Sequence, residues 1–196
     1  DLATLDERIA AERKDEAHLR ISGSECSISR EGVRFGPKFI PASDARALRW
    51  GMIDTQTGGA RSLAFKMAIR DLHGAEIKIE WTTAKELDAQ REFFGDLINA
   101  ALTYLMPQVL GAIQKDLDDH QRVRVGSVVL TKAGVEFTVQ GWFTSKTVFC
   151  PWGRLKSTIK NGELVVFDPE NRKAAVSLAL HEVDNAFVLH LLAQGS

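Results

Sequence analysis

The sequence predicts an α+β protein made of two small antiparallel β-barrels, each followed by an amphipathic helix, with the first helix long and kinked. Two observations lead to this prediction. Residues 28–35 and residues 130–137 share one strand–turn–strand pattern, residue type by residue type. Between the two copies, apolar residues recur at helical spacing over residues 87–117. A repeat of this kind in a chain of 196 residues indicates two domains rather than one.

The first 20 residues are charged and lack Gly and Pro, and Leu2, Leu5 and Ile9 fall at helical spacing. We predict a solvated helix over residues 1–20, with a juxtamembrane or coiled-coil stalk as the alternative. Short alternating runs then predict the first barrel over residues 21–100. Its strands are expected near residues 25–29, 32–36, 45–52, 63–70 and 75–81.

Thr83 and Glu86 have the spacing of a capping box, in which the hydroxyl and the carboxylate satisfy backbone N–H groups at a helix start. The apolar stripe that follows is much longer than an average helix, and Pro107 removes one backbone hydrogen bond, which predicts a kink. Residues 101–121 are expected to continue this helix as a linker. Acidic residues near its end oppose the helix dipole, so we expect the helix to fray or to end before them. They are Asp116, Asp118 and Asp119.

A second series of alternating runs predicts the second barrel over residues 122–196. Its strands are expected near residues 123–131, 134–140, 146–150, 154–159, 163–168 and 173–180. Asp184 and Asn185 are favourable N-cap residues and predict a final helix after them.

The net charge of −1 argues against a nucleic-acid partner, because salt-driven binding to phosphates needs a strong basic excess. Cys26 and Cys150 are too few for a disulfide scaffold and are predicted to be buried free thiols. No apolar run is long enough to span a membrane, and no signal peptide is visible. We therefore expect a cytoplasmic protein, either on its own or as the soluble part of a membrane-associated protein.

Motifs of enzymes and of metal sites are incomplete in this sequence. His181 and Glu182 begin like a zinc-binding helix, but Asn185 stands where the second histidine is needed. The acidic run that ends at His120 lacks the Gly and the distal Glu of a calcium loop. We therefore predict a protein with no catalytic residues, no metal site and no cofactor.

The order of elements resembles the pleckstrin-homology-like (PH-like) superfold, duplicated in tandem and of the bacterial type. The resemblance rests on the hairpins at 28–35 and 130–137, on the strand starts at residues 40–41 and 150–152, and on the two amphipathic helices. It covers most of each half of the chain. The resemblance implies two small barrels, each closed at one end by its helix.

The resemblance also implies a location for ligands. PH-like domains that bind phosphoinositides use basic residues around the first hairpin, where this chain has Arg30, Arg34 and Lys38. Alternate residues of a strand share a face, so we expect these three side chains to align. A solvated strand face is the alternative.

The segment that contains Trp142, Phe143 and Lys146 is the second candidate binding region. Two adjacent large aromatic residues in a strand point to opposite faces, so at least one of them is expected to be exposed. Beside a lysine at a hairpin tip, they could enter a membrane interface or contact a partner. The alternative is that Trp142 folds back over the mouth of the barrel.

The function that these observations favour is non-catalytic: a binding or scaffold module for protein–protein or membrane-proximal interactions. The partner would be another protein, or a second copy bound through the long helix, with an anionic membrane surface as a further candidate. One alternative function is the binding of an anionic lipid headgroup. The other is a small-ligand protein or an enzyme with its site between the two barrels.

Overall fold

The computed structural model of the chain describes residues 17–21, 23–140 and 145–194. These residues form an α+β structure of antiparallel sheets and helices, which confirms the predicted class. The chain divides into two compact units, Asp1–Val109 and Leu110–Ser196. This division falls within residues 101–121, where the sequence predicts the helical linker.

The first unit has a four-stranded meander, a 3-10 helix, a three-stranded meander and an α-helix, in that order. The four-stranded sheet contains β1 (Ala17–Ile21), β2 (Ser24–Ile28), β3 (Gly32–Phe35) and β4 (Lys38–Pro41). The 3-10 helix spans Ala42–Asp44. The three-stranded sheet contains β5 (Ala45–Thr57), β6 (Ala60–Asp71) and β7 (Glu76–Thr83), and helix α1 spans Leu87–Tyr104.

The second unit repeats this order element by element. Helix α2 (Met106–His120), which contains the division between the units, precedes the repeat. The four-stranded sheet contains β8 (Arg122–Val125), β9 (Val128–Thr131), β10 (Gly134–Gln140) and β11 (Ser145–Pro151). A 3-10 helix (Trp152–Arg154) follows, then β12 (Lys156–Lys160), β13 (Glu163–Asp168), β14 (Asn171–Ala179) and helix α3 (Ala186–Gln194).

The sheets of each unit are not closed into barrels in the described part of the chain. Hydrogen-bonded pairing stops at β4 and at β11, the last strands of the four-stranded sheets. Pro41 and Pro151 end these strands, because proline cannot donate to a further ladder, and the 3-10 helices carry the chain to the second sheet. In the first unit β7 packs against β3 and β4, so its two sheets are in contact without a shared ladder.

Each unit depends on one glycine at the start of the strand that follows the repeated turn. A Cβ atom on Gly32 would lie 2.2 Å from the backbone oxygen of Ile40 and 2.9 Å from the Cα of Pro41. A Cβ atom on Gly134 would lie 2.2 Å from the backbone oxygen of Cys150. Each glycine is paired with the proline that ends the neighbouring antiparallel strand, at a backbone separation that only glycine permits, and at the same point of both units.

The interior of the first unit is organised by stacked aromatic rings. Phe65 stacks on Trp81 with their ring centres 4.7 Å apart, and Phe94 of α1 lies 5.1 Å from Phe65. The indole N–H of Trp81 donates to the side-chain oxygen of Gln90, 2.9 Å away. These contacts fix α1 against β6 and β7.

Three details of the helices differ from the sequence predictions. The predicted capping box is wrong. Thr83 is the last residue of β7, and its hydroxyl hydrogen-bonds to the backbone of Lys85. Helix α1 begins at Leu87, and Glu86 before it has a left-handed backbone conformation. The interruption predicted near Pro107 does occur: the long helix breaks at Leu105, two residues earlier, which separates α1 from α2. The missing N–H of proline accounts for the break.

The predicted end of the long helix is also wrong, because α2 continues through the acidic run to His120. Two cations offset the unfavourable dipole. Lys115 pairs with Asp119 one turn along the helix, and Lys132 pairs with Asp118 at 3.1 Å. These hydrogen bonds hold the pKa values of both aspartates below their ordinary range.

The end of the predicted N-terminal helix is wrong as well. Residues 17–21 form β1, which pairs with β2 from Ala17 opposite Ile28 to Ile21 opposite Ser24. Pairing with a formed neighbour overrides the helical preference of this charged segment. The rest of the predicted helix, residues 1–16, lies outside the described residues.

We predict that Gly32→Ala and Gly134→Ala each lower the free energy of unfolding by ~3 kcal/mol, because each added methyl group overlaps a strand backbone. Gly95→Ala is the control: it lies in α1 with no atom within 4 Å of an added Cβ, so it should stabilise the protein by up to ~1 kcal/mol. Urea unfolding followed by circular dichroism measures all three variants. A neutral effect at Gly32 or Gly134 would contradict the close backbone approach at that glycine.

Candidate functional site

The three basic residues of the first hairpin do not share a face. Arg34 of β3 pairs with Phe39 of β4, whereas Lys38 pairs with Phe35, the next position along β3. Directly paired residues share a face and adjacent residues do not, so Arg34 and Lys38 point to opposite sides. Arg30 precedes the strand, in the turn. The expected alignment is therefore wrong, because the chain reverses direction between Phe35 and Lys38.

Lys38 lines a pocket of the first unit, here called the Lys38 pocket. It has a volume of about 470 Å³ and lies beside Ser24, Glu76 and Lys78. The Lys38 ammonium donates to the backbone oxygen of Glu76 at 3.4 Å, and Lys78 pairs with the Glu76 carboxylate at 3.3 Å. Arg49 donates to the same carboxylate from 2.7 Å. One carboxylate thus lies among three cations.

Glu76 remains anionic in this pocket. Partial burial raises the pKa of its carboxyl, but hydrogen bonds from Arg49 and Lys78 outweigh burial, and the net pKa lies below its ordinary value. The cluster keeps a positive excess near pH 7. An anionic group is therefore the ligand that its charges favour.

The outer faces of the two four-stranded sheets carry an exposed phenylalanine at the same register position. Phe39 pairs with Arg34 in the first unit, and Phe149 pairs with Glu136 in the second. The exposed fractions of the two phenylalanines are 43% and 46%. The Arg34 guanidinium lies 4.8 Å from the centre of the Phe39 ring, a cation–π contact. The residue opposite the ring is thus Arg34 in the first unit and Glu136 in the second, where Glu136 is itself paired with Arg122.

The second unit contains an apolar groove, here called the Trp152 groove, with a volume of about 580 Å³. Helix α2 contributes Leu110, Ile113 and Leu117, while Trp152 and Leu192 form the opposite side. Leu192 projects from α3 and Trp152 begins the second 3-10 helix. All five side chains are large and apolar.

Polar groups occur at the rim of the Trp152 groove. The indole N–H of Trp152 donates to the backbone oxygen of Thr131 from 3.1 Å, which fixes the orientation of the ring. Lys132 follows in the β9–β10 turn, and its ammonium pairs with Asp118 of α2. Both side chains of this pair are about half exposed, at 50% and 55%.

The first unit has a pocket at the equivalent position, of about 480 Å³, here called the Arg30 pocket. Arg30 corresponds to Lys132 in the repeated turn, and Ala42 corresponds to Trp152 at the start of the 3-10 helix. The facing side consists of Thr103, Tyr104, Pro107 and Gln108, a mixture of polar and apolar groups. The two units thus place one basic residue at the same junction, but the wall of Leu and Ile side chains belongs to the pocket of the second unit.

An ion pair between a buried aspartate and a partly exposed arginine lies near the groove but outside its lining. Arg154 pairs with Asp168 at 2.8 Å, and the Asp168 side chain is only 1% exposed. Asp168 also accepts the backbone N–H of Glu170, and Glu170 pairs with Arg154 from an exposed position. In the first unit Asp71 accepts backbone N–H groups in the same way. The cluster holds a turn in place.

Both cysteines are buried free thiols, as predicted. Burial raises the pKa of Cys26 to about 12, and it raises the pKa of Cys150, with the nearby Asp168 carboxylate adding to the shift. A thiol that stays protonated is a poor nucleophile and a poor metal ligand. In the described ranges, no three His, Cys, Asp or Glu side chains come together in a geometry that could hold a metal ion.

One pairing of reactive residue types was missed by the sequence analysis. Ser157 Oγ lies 2.9 Å from His190 Nδ1, and Gln194 lies 3.0 Å from the other ring nitrogen. A serine next to a histidine is the first requirement of nucleophilic catalysis. The third group here is a neutral amide, which can orient the imidazole but cannot stabilise its cation. No sequence signal connects two residues that meet only through β12 and α3.

The remaining predicted site residues can be placed only in part. Trp142 and Phe143 lie outside the described residues, and Lys146 is exposed on β11.

No helix in the described ranges combines the length and the apolarity needed to cross a membrane. Comparison with protein-family models, curated protein sequences and solved structures finds no match.

We predict that Arg154→Ala lowers the free energy of unfolding by ~2–3 kcal/mol, because it leaves the Asp168 carboxylate buried without its partner. Glu170→Gln removes the exposed partner of the same arginine and should cost less than ~0.5 kcal/mol. Denaturant unfolding of both variants, together with Asp168→Asn and Arg154→Ala/Asp168→Asn, completes the double-mutant cycle and measures the coupling between Arg154 and Asp168. Equal losses of unfolding free energy in Arg154→Ala and Glu170→Gln would show that the burial of Asp168 does not determine the cost of removing its partner.

Proposed function

We propose that this chain is a non-catalytic binding protein built of two PH-like units of the bacterial type, each a small curled pair of sheets covered by a helix. It mediates protein–protein or membrane-proximal interactions in the cytoplasm, either alone or as the soluble part of a membrane-associated protein. The shared order of elements supports this proposal: four strands, a 3-10 helix, three strands and an α-helix occur twice.

The exposed phenylalanines carry the proposal of a binding function. A single exposed apolar side chain is ordinary on a protein surface. Here the same register position of both units has an exposed ring, although the opposite residue changes from Arg34 to Glu136. Aromatic residues beside a charge are typical anchors of protein interfaces, because they bury a large area at a small entropic cost. Phe39 and Phe149 are the anchors that we assign to partners.

The anchors can be tested by placing p-benzoylphenylalanine at position 39 or 149 in the organism that encodes the chain. We expect one discrete cross-linked product from at least one position after irradiation. Its mass and peptide sequences identify a partner protein, or a second copy where the mass is doubled. Arg34→Glu should reduce the yield at position 39 about fivefold, because it removes the charge beside the anchor.

The control position is Glu92, which is exposed on α1 of the first unit. A product of the same mass and yield from position 92 would mean that the cross-links capture an abundant protein by random collision rather than a bound partner. The absence of a discrete product from both phenylalanine positions would remove the protein-binding proposal.

The Lys38 pocket favours a second candidate function, the binding of an anionic lipid headgroup. It lies where the start of β2, the β3–β4 turn and the start of β7 meet. Lys38 and Lys78 line it together with one carboxylate, Glu76, which pairs with both Lys78 and Arg49. The Lys38 ammonium donates to the backbone oxygen of Glu76. A headgroup phosphate could therefore bind Lys38 and share Lys78 with Glu76, whose charge Arg49 still offsets.

Sedimentation with phosphatidylglycerol vesicles at low salt tests this candidate. We expect binding by the intact chain and a loss of at least tenfold in Lys38→Glu/Lys78→Glu, because each lysine near an anionic surface contributes on the order of 1 kcal/mol. Lys156→Glu/Lys160→Glu is the matched control, since both lysines are exposed in the second unit. An equal loss in the control would indicate bulk attraction, and no binding by the intact chain would remove the candidate.

A further inference from the structure

We propose that the Trp152 groove binds an aliphatic carboxylate, with the chain against the apolar wall and the carboxylate on Lys132. This site is distinct from the phenylalanine anchors and from the Lys38 pocket, and it does not depend on the function proposed above. A ligand of this class is a free fatty acid of medium length.

The apolar wall sets the first requirement for the ligand. Leu110, Ile113 and Leu117 lie along one face of α2, at helical spacing, and they face Trp152 and Leu192. A volume of about 580 Å³ falls within the ordinary range of small-molecule pockets. The Thr131 oxygen satisfies the indole N–H, so the Trp152 ring presents an apolar surface to the groove. An alkyl chain fits this lining.

The charge at the rim sets the second requirement. Lys132 is the cation that lines the groove in the described residues, and its present partner is Asp118. An ion pair with both members half exposed is worth only about 0–1 kcal/mol, so a ligand carboxylate can replace Asp118 at little cost. The displaced aspartate is exposed and returns to water. Lys132 lines the groove whereas Asp118 does not, so the charge that a bound head would meet is positive and favours an anionic head.

The first unit provides an internal comparison. The Arg30 pocket keeps the basic residue at the same junction, but Ala42 replaces the tryptophan, and the facing residues are Thr103, Tyr104, Pro107 and Gln108 in place of a row of Leu and Ile side chains. This mixed lining offers an aliphatic chain less apolar contact than the Trp152 groove. Substitution of Arg30 is therefore the matched control for substitution of Lys132.

The binding can be measured on the intact chain by titration with octanoate, with the indole N–H signal of Trp152 as the readout. Trp152→Phe assigns that signal among the four tryptophans. We expect saturable shifts with octanoate and weak or no shifts with octylammonium. Each methylene group added to the chain should tighten binding by up to about fourfold until the groove is filled.

Two variants separate ligand binding from a structural role of the ion pair. Lys132→Gln should weaken octanoate binding about fivefold to tenfold, because the charged hydrogen-bond donor is lost. Asp118→Asn removes the competing carboxylate and should tighten binding. Arg30→Gln should leave it unchanged.

The opposite results overturn the proposal. If both rim variants weaken binding equally, the ion pair only supports the groove. If octylammonium binds to the intact chain as tightly as octanoate, Lys132 does not bind the charged head of the ligand. This comparison uses the unmodified chain, so it stands even if a variant fails to fold. If octanoate causes no shift of the Trp152 signal, the groove is not a site for this class of ligand.

Discussion

The close approach of two paired strands at Gly32, and again at Gly134, is the constraint on which each unit depends. This approach places the residue before each glycine against the residue that begins the 3-10 helix. In the first unit the N–H of Ala42 donates to the oxygen of Glu31 at 3.0 Å, and in the second the N–H of Trp152 donates to the oxygen of Ala133 at 3.4 Å. This bond fixes the corner from which the chain enters its second sheet. The corner also positions the Arg30 pocket and the Trp152 groove, which is why both units have a cavity there.

The two units keep this corner and differ in what surrounds it. The β5–β6 hairpin of the first unit is long, and Asp54 near its tip pairs with Arg91 of α1. Trp50 of β5 is only 6% exposed, whereas Ile159, at the corresponding position of the shorter β12, is 41% exposed. A longer hairpin and a longer helix cover the first interior more fully. The second unit leaves apolar surface exposed, and Trp152 lines a groove rather than a core.

The sequence predicted the parts of this structure that are set by local chemistry. The hairpins were visible because glycine, turn residues and alternating apolar residues recur in order around Gly32 and Gly134. The break near Pro107 was visible for a similar reason. Elements decided by distant partners were not: β1 forms because β2 is available for pairing, and α2 passes through its acidic end because Lys132 meets Asp118. The same limit applies to the candidate sites, since the lining of the Trp152 groove comes from α2, the β9–β10 turn, the 3-10 helix and α3.

A duplicated fold also separates residues that serve folding from residues available for function. Gly32 and Gly134, Pro41 and Pro151, and the turn carboxylates Asp71 and Asp168 occupy matching positions and make matching backbone contacts. A residue that both units need for the same backbone contact is explained by folding alone.

The pairs that differ are not explained in that way. Trp152 in place of Ala42 and Glu136 in place of Arg34 leave the backbone order intact while they change the chemistry of a cavity and of an exposed face. Tryptophan at the start of a 3-10 helix is not required for that turn, because alanine forms the same turn in the first unit. The folding of this turn therefore does not explain the Trp152 indole. The indole supplies the rigid apolar side of a groove that has Lys132 at its rim.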